Sequence, residues 1–399
     1  MSARTARLDE VCEINPRAPK NINDDTVVSF LPMSAVSEDG YVAYEEARIY
    51  REVKKGYTYF ERGDVLVAKI TPCFENGKAA STETIQNKLG FGSTEFHVLR
   101  PSLALDPKYA FHLLWSERFR KIGEKGMTGS AGQKRVPADL LKRLEIPLPI
   151  LGEQKRIAAI LDKADHMRQK RRQAITLLDS LTQSIFLEMF GDPVSNPKGW
   201  RSEALGDVLS DIESGWSPSC LDRPALDHEW GVLKLSAVTS GVFREAEQKA
   251  LPSELRPRPK IEIQAGDVLF TRKNTYDLVA ACALVGNVRS KLMLSDLIFR
   301  LVVRDQEQLS PTYLWACLSN RRLRSQIQSL AGGSAGSMPN ISKEKLRGVL
   351  IPVPDGESQR SFQAKAMATI AQKKRQLLGL AEAETLFSSL QHRAFTGQL

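Results

Sequence analysis

The sequence predicts a tandem pair of mixed α/β (α+β) domains, each followed by one long helix. Three observations carry this: a repeat at about half the chain length, β-branched runs alternating with amphipathic stretches in both copies, and a long heptad-patterned segment after each copy. The repeat is collinear. Ser34-Ala35-Val36 returns as Ser236-Ala237-Val238, Gly63-Asp64-Val65-Leu66 as Gly266-Asp267-Val268-Leu269, and Gly129-Ser130-Ala131-Gly132 as Gly333-Ser334-Ala335-Gly336, at offsets of 202, 203 and 204. Ile146-Pro147-Leu148-Pro149 answers Ile351-Pro352-Val353-Pro354 at 205, and the basic pentapeptide Gln169 to Gln173 answers Gln372 to Gln376 at 203. Two copies at this period are too few and too long for a solenoid, whose units run about 20 to 50 residues.

Within each copy the elements follow in one order. Gly63 to Ile70 and Gly266 to Arg272 are apolar, β-branched and bounded by turn residues, so both read as strands. Pro107 to Ile122 and Pro311 to Leu330 read as amphipathic helices. A Gly/Ser loop follows, Gly126 to Gln133 or Gly332 to Ser337, then a short helical turn and an extended Pro-x-Pro segment that closes the globular part. Domain boundaries are therefore expected at 1–150 and 193–355, with long helices over 151–192 and 356–399.

The first long segment has neither Pro nor Gly from Glu153 to Phe190. Ile157, Ala164, Leu178 and Ile185 fall on one heptad position and Ile160, Met167, Ala174 and Leu181 on the other, with Arg171 and Glu188 as misfits. Gly191-Asp192-Pro193 stops the helix. In the second, Phe362, Ala366, Ile370, Leu377, Leu380, Ala383, Phe387, Leu390 and Ala394 form one stripe. A helix of 38 residues spans about 57 Å, longer than one domain needs, so each requires a partner to cover its stripe. The nearest candidate is its own repeat, paired parallel or antiparallel. Antiparallel pairing would relate the domains by a pseudo-twofold axis. Six extra residues in the second helix, an offset of 203 at Gln173/Gln376 rising to 209 at Leu181/Leu390, predict a kink or frayed end near Gly379.

Composition limits the function. Fifty-six Lys and Arg against 47 Asp and Glu give a formal charge of +9, which permits an anionic partner without requiring one. No apolar run approaches the roughly 20 residues of a membrane span, and the start of the chain has no signal-like stretch. Cys12, Cys73, Cys220, Cys282 and Cys317 show no paired spacing, so a cytoplasmic protein with reduced thiols is expected. Phosphate-loop, HExxH and CxxC motifs are absent, and His97, His112, His166, His228 and His392 do not cluster as metal ligands. Gly90-Phe91-Gly92 is expected in a turn. Asp64 and Asp267 lack a nearby Glu-x-Lys and read as turn residues rather than nuclease ligands. The chain also lacks the Asn-Pro-Pro-aromatic motif with which amino-methyltransferases grip a flipped base.

Binding is what remains. Lys69, Thr71, Asn76 and Lys78 lie just after the first GDVL strand, and Gln133, Lys134 and Arg135 follow the Gly/Ser loop. Arg272, Lys273, Asn274 and Thr275 take the first of these places in the second copy; Ser337, Met338 and Asn340 take the other. These side-chain types pair with base edges or hold phosphates, and equally populate solvated loops. The clusters Arg168 to Arg172 and Lys373 to Arg375 admit two roles, as solvated flanks of a coiled coil or as a surface for DNA or partner subunits.

Gly63 to Ala80 (GDVLVAKITPCFENGKAA), Gly92 to Pro101 (GSTEFHVLRP), Ile146 to Asp165 (IPLPILGEQKRIAAILDKAD) and Phe190 to Pro193 (FGDP) resemble the specificity subunits of type I restriction-modification enzymes. The resemblance spans essentially the whole chain. It implies two target-recognition domains, each reading half of a split double-stranded DNA site, and an antiparallel helical pair as spacer. It also implies that the helices dock two DNA-adenine methyltransferase subunits, that a restriction and translocation subunit can join, and that S-adenosylmethionine and ATP belong to those partners. The rival readings are a stand-alone DNA-binding or coiled-coil scaffold protein and an enzyme of unrecognised site.

Overall fold

A computed structural model describes residues 4–130, 132–332 and 338–399. The chain divides into two compact units, Met1–Arg172 with Leu378–Leu399, and Gln173–Leu377. Each long helix gives its first part to one unit and its second part to the other.

In the first unit a four-stranded antiparallel sheet runs in the order Cys12–Ile14, Phe96–Pro101, Val65–Ala68, Ala79–Ser81. The GDVL run is continuously apolar because both its faces are covered. Val65 and Val67 share a core with Tyr109 and Leu113 of the helix Pro107–Leu114, whereas Leu66 packs with Leu31, Phe60 and Val98 toward a second sheet. That second sheet is ordered Glu46–Ile49, Val27–Leu31, Leu89–Gly92, Thr58–Glu61. Gly90-Phe91-Gly92 thus lies in a strand, not in the expected turn. A Cβ on Gly90 would stand 2.1 Å from the Phe60 ring and one on Gly92 2.4 Å from the Leu31 carbonyl, so packing, not a turn, demands glycine there.

The second unit repeats the plan. Its antiparallel sheet is ordered Leu209–Ser214, Ile298–Val303, Val268–Thr271, Cys282–Leu284. Val268 and Phe270 face the helix Pro311–Leu318, and Leu269 faces a three-stranded sheet of Gln248–Ala250, Gly231–Leu233 and Leu292–Met293. Gly63 and Gly266 have φ of +98° and +91°, and turn the chain into the two equivalent strands. Asp64 and Asp267 serve that turn. Each accepts a backbone N–H, from Glu61 and Gln264, and pairs with an arginine of the neighbouring strand, Arg100 at 2.8 Å and Arg300 at 3.1 Å.

Each amphipathic stretch expected as one helix is two. Pro107–Leu114 is followed by Glu117–Lys125, and Pro311–Leu318 by Arg321–Ser329. The side chain of Ser116 accepts from Phe119 N, and that of Asn320 from Arg322 N and Leu323 N, so each caps a fresh helix start. The Pro-x-Pro segments pair as short strands, Glu145–Pro147 with Thr5–Arg7 and Leu350–Val353 with Arg201–Ala204.

The long helices are Leu151–Phe190 and Gly356–Phe395, and in both units their segments run antiparallel. In the first, Arg156 meets Leu399 while Arg172 meets Glu384; in the second, Lys373 pairs with Asp179 and Phe362 packs against Phe186 and Phe190. The second helix continues through Gly379 without the expected break. A Cβ there would stand 2.4 Å from Arg171 Nη1, so the glycine admits the arginine of the facing helix.

The seam departs from the heptad reading. Ile157, Ala164, Phe362 and Phe387 are buried, and Ile160, Leu178, Ile185, Leu380 and Leu390 are half-buried. Met167, Leu181, Ile370 and Leu377 are exposed, 46%, 40%, 37% and 48% respectively. Their places on the covered face are taken by neighbours, Leu161, Arg168, Thr182, Phe186 and Thr369. A run apolar on two adjoining faces satisfies a heptad template at either, and the sequence alone does not say which is covered.

Among the described residues no helix is long and apolar enough to cross a membrane, no His/Cys/Asp/Glu group could hold a metal ion, and all five cysteines are free thiols.

Candidate nucleic-acid interface

In the first unit the chain leaving the GDVL strand meets the chain leaving the Gly/Ser loop. Val136 N donates to Lys69 O at 2.9 Å, Thr71 N donates to Lys134 O at 3.0 Å, and the Thr71 hydroxyl reaches the same carbonyl at 3.2 Å. The loop itself is a tight hairpin, closed by reciprocal bonds of 2.9 and 2.8 Å between Thr128 and Arg135. Gly129 allows it, with φ +123° and a Cβ position only 2.8 Å from Gln133 O. Lys69, Thr71, Gln133, Lys134 and Arg135 therefore converge, although 62 residues separate Thr71 from Gln133.

Their states differ. Lys69 and Lys134 have no ion pair among the described residues, and Gln133 and Lys134 are exposed. Arg135 is engaged: its guanidinium holds Glu95 at 2.8 Å and also donates to Gln133 O. The same bond keeps the Glu95 carboxyl below its ordinary pKa, so the pair is ionised. Behind the hairpin His97 is buried. Its Nε2 stands 2.8 Å from Val136 O, which can only accept, so Nε2 carries the proton and Nδ1 accepts from Asn15 Nδ2 at 3.2 Å. Asn76 and Lys78 are drawn elsewhere, to Glu38 Oε1 at 2.9 Å and to Met33 O at 3.2 Å.

The second unit makes the same junction. Ile341 N donates to Arg272 O at 2.9 Å, Lys273 bridges Asn340, and Asn340 and Gly332 exchange two backbone bonds of 2.9 Å. Arg272 Nε donates to Asn340 Oδ1 at 3.1 Å, and the guanidinium lies 5.1 Å from the centre of the Phe299 ring. Asn274 is buried. Its side chain takes the Thr275 N–H at 2.8 Å and faces the Thr239 hydroxyl at 3.4 Å, which makes it a turn-former. Thr275 is exposed, and Ser337 lies outside the described residues.

Several participants carry no sequence signal. Gln328 Nε2 donates to Tyr276 O at 3.0 Å and Val279 O at 3.1 Å, while Arg324 Nη2 donates to Asp277 O at 2.9 Å. The loop is clamped from beneath and Tyr276 is left 59% exposed beside Thr275. Glu95 was equally hidden, since only the fold brings it to Arg135.

The basic helix clusters divide into members paired within the protein and members left exposed. Arg168 is only 7% exposed, 4.0 Å from the centre of the Phe387 ring and 5.3 Å from that of Trp115, and paired with Asp165. Arg172 bonds Asp39 and Glu384, and Lys373 bonds Asp179. Lys170, Lys374 and Arg375 are exposed.

Both units are fastened to the heads of the long helices in one way. Gln154 accepts the Asp106 N–H and donates to Ala104 O and Pro149 O; Gln359 accepts the Ser310 N–H and donates to Gln308 O and Pro354 O. The hydroxyls of Tyr109 and Tyr313 donate to Pro147 O and Pro352 O. The Glu-Gln and Pro-x-Pro motifs are thus parts of one joint.

Comparison with known proteins agrees with this layout. Residues 3–177 match the type I restriction modification DNA specificity domain. The specificity subunit of the type I restriction enzyme EcoEI of Escherichia coli is 31% identical over an alignment covering 91% of this chain and 76% of that protein. Two solved structures share the fold. The S subunit of a type I restriction-modification system from M. genitalium superposes with a TM-score of 0.58 at 14% identity, covering 98% of this chain and 96% of that one. A chain solved in work on complex assembly and conformational transition of the type I R-M system gives 0.55 at 22% identity, covering 100% and 98%. With a twice-written module, equivalent polar junctions in both copies and a relative of this identity along nearly its whole length, the chain belongs to the family of type I restriction enzyme specificity subunits.

Proposed function

We propose that the chain is the non-catalytic recognition subunit of a cytoplasmic type I complex. Each repeat reads one half of a bipartite site in double-stranded DNA. The recognition domains are residues 1–150 and 193–355, and the helical segments 151–192 and 356–399 dock two DNA-adenine methyltransferase subunits. S-adenosylmethionine and ATP are used by partner subunits, ATP by a restriction and translocation subunit where one is present. The observation that carries this reading is the junction made twice: Lys69, Thr71, Gln133 and Lys134 in one unit, Arg272, Lys273 and Asn340 in the other, on equivalent loops of equivalent folds. Two similar but chemically different polar surfaces suit two different half-sites. Exposed apolar side chains along the helices, among them Met167, Leu177, Leu187, Met367, Leu378 and Leu386, support a docking role that a free-standing scaffold would not need.

The test is an exchange of residues 1–150 for those of a relative with a different target, followed by mapping of methylated adenines in the host genome. One half of the recognised sequence should change and the other should persist. A change in both halves, or in neither, removes the independent-reader proposal.

A further inference from the structure

The second unit carries a basic arm that the first lacks. Arg256-Pro257-Arg258-Pro259-Lys260 alternates cation and proline, and none of its three cations forms an ion pair among the described residues. Proline fixes φ near −65° and stiffens the segment, so little entropy is lost when the cations are used. The Arg258 guanidinium lies 4.2 Å from the centre of the Trp216 ring. Stacking of this kind orients the guanidinium without neutralising its charge.

The arm adjoins the junction described above through a short chain of contacts. Arg272 N donates to Leu297 O at 3.1 Å. Asp296, the preceding residue, takes the Ser217 hydroxyl and returns its own N–H to Ser217 Oγ at 3.2 Å. Trp216 N then donates to Leu294 O at 2.9 Å. Gly215 makes the approach possible, since a Cβ there would stand 1.9 Å from the Leu294 carbonyl oxygen. Asp296 is an acidic group on this path, and one of its carboxylate oxygens, Oδ1, takes the Ser217 hydroxyl. In the corresponding region of the first unit two of the three cations are spent internally, Arg51 on Asp25 at 2.8 Å and Lys54 on Asp24 at 2.9 Å, and only Lys55 has no ion pair among the described residues.

We infer that Arg256, Arg258 and Lys260, with Arg258 held on Trp216, grip the phosphate backbone of the DNA whose bases the Arg272–Asn340 junction reads. This rests on the proposed reading and adds to it an asymmetry: the second unit supplies more of the salt-dependent affinity than the first. Cations without ion-pair partners, beside a base-reading surface, release counterions from DNA without reporting sequence.

The experiment measures DNA affinity of the assembled methyltransferase complex against salt concentration, on the cognate site and on one with a scrambled second half. The variant is Arg256→Ala/Arg258→Ala/Lys260→Ala, with Arg51→Ala/Lys54→Ala as control. The arm variant should flatten the slope of log affinity against log salt by about 2 to 3, at roughly 0.9 per phosphate contact. It should weaken both DNAs by a similar factor, about 10- to 100-fold near physiological salt, and preserve the ratio between them; the control should leave the slope in place. An unchanged slope overturns the inference, as does a lost ratio at constant slope. Loss of methyltransferase assembly with an unchanged slope also overturns it, making the arm a protein contact. Failure of the unsubstituted complex to discriminate the two DNAs would instead overturn the proposed function itself.

Discussion

Single side chains in this molecule are decided by what the fold places opposite them. Arg135 was a candidate reader, yet Glu95 occupies its guanidinium, while Lys69 and Lys134 beside it have no ion pair among the described residues. His97 is the titratable group behind that junction. Burial lowers its pKa from the ordinary value of 6.5, against the opposing effect of its bond to Val136 O. Below about pH 6.5 the unfolded chain takes up the proton and the folded one resists it, so the unfolded state binds more protons and stability rises with pH across that window. Acidification from pH 7 toward the depressed folded value should therefore weaken the first unit. In chemical denaturation at a series of pH values, His97→Gln should remove this dependence; persistence of the same slope would assign it to other groups.

At the level of elements, each unit holds its two helix segments together by apolar packing and by ion pairs. In the first unit Phe387, Ala394 and Phe395 pack with Ile157, Leu161 and Ala164, and in the second Phe186 and Phe190 pack with Phe362 and Ala366. Arg168 and Arg172 in the first unit and Lys373 in the second add ion pairs with their carboxylate partners. Arg172 is about two-thirds buried and touches two carboxylates, so its bonds are worth more than a surface pair but less than a fully desolvated one. Arg172→Glu should cost about 1–2 kcal/mol and Glu384→Arg in the same chain should recover about half of it. Denaturant midpoints of the two single variants and the double variant check this, and additivity would mean the pair is not coupled.

For the molecule as a whole, the joint made by Gln154 with Tyr109, and again by Gln359 with Tyr313, fastens each globular part to the helix that follows it. Each glutamine is buried and uses both ends of its amide on backbone groups, so each joint resists bending by hydrogen bonds that water cannot easily replace. Exposed apolar residues along the helices suit a chain that acts with partners. The purified chain should neither methylate nor cleave DNA when S-adenosylmethionine, ATP and magnesium are supplied, and methylation should appear on adding the methyltransferase recovered with it from its host. Activity of the chain alone would place chemistry here that the proposal puts elsewhere.

The amino-acid sequence by itself determined the tandem architecture, the GDVL strands and the two long helices, because these follow from patterns local in the chain: collinear repeats, β-branched runs between turn residues, and apolar stripes at helical spacing along stretches free of Pro. It also placed the loops that carry the polar junctions, since both copies repeat their position. Tertiary structure alone decided which residues use those positions. Asn274 turned inward, Arg135 found Glu95, Asn76 and Lys78 were drawn to segment 33–38, and the covered helix face moved onto Leu161, Arg168 and Phe186 in place of Met167 and Leu181. The physical reason is the same in each case. Pairing and burial depend on groups far away in sequence, and a local pattern records only that a side chain is polar or apolar, not what will stand against it.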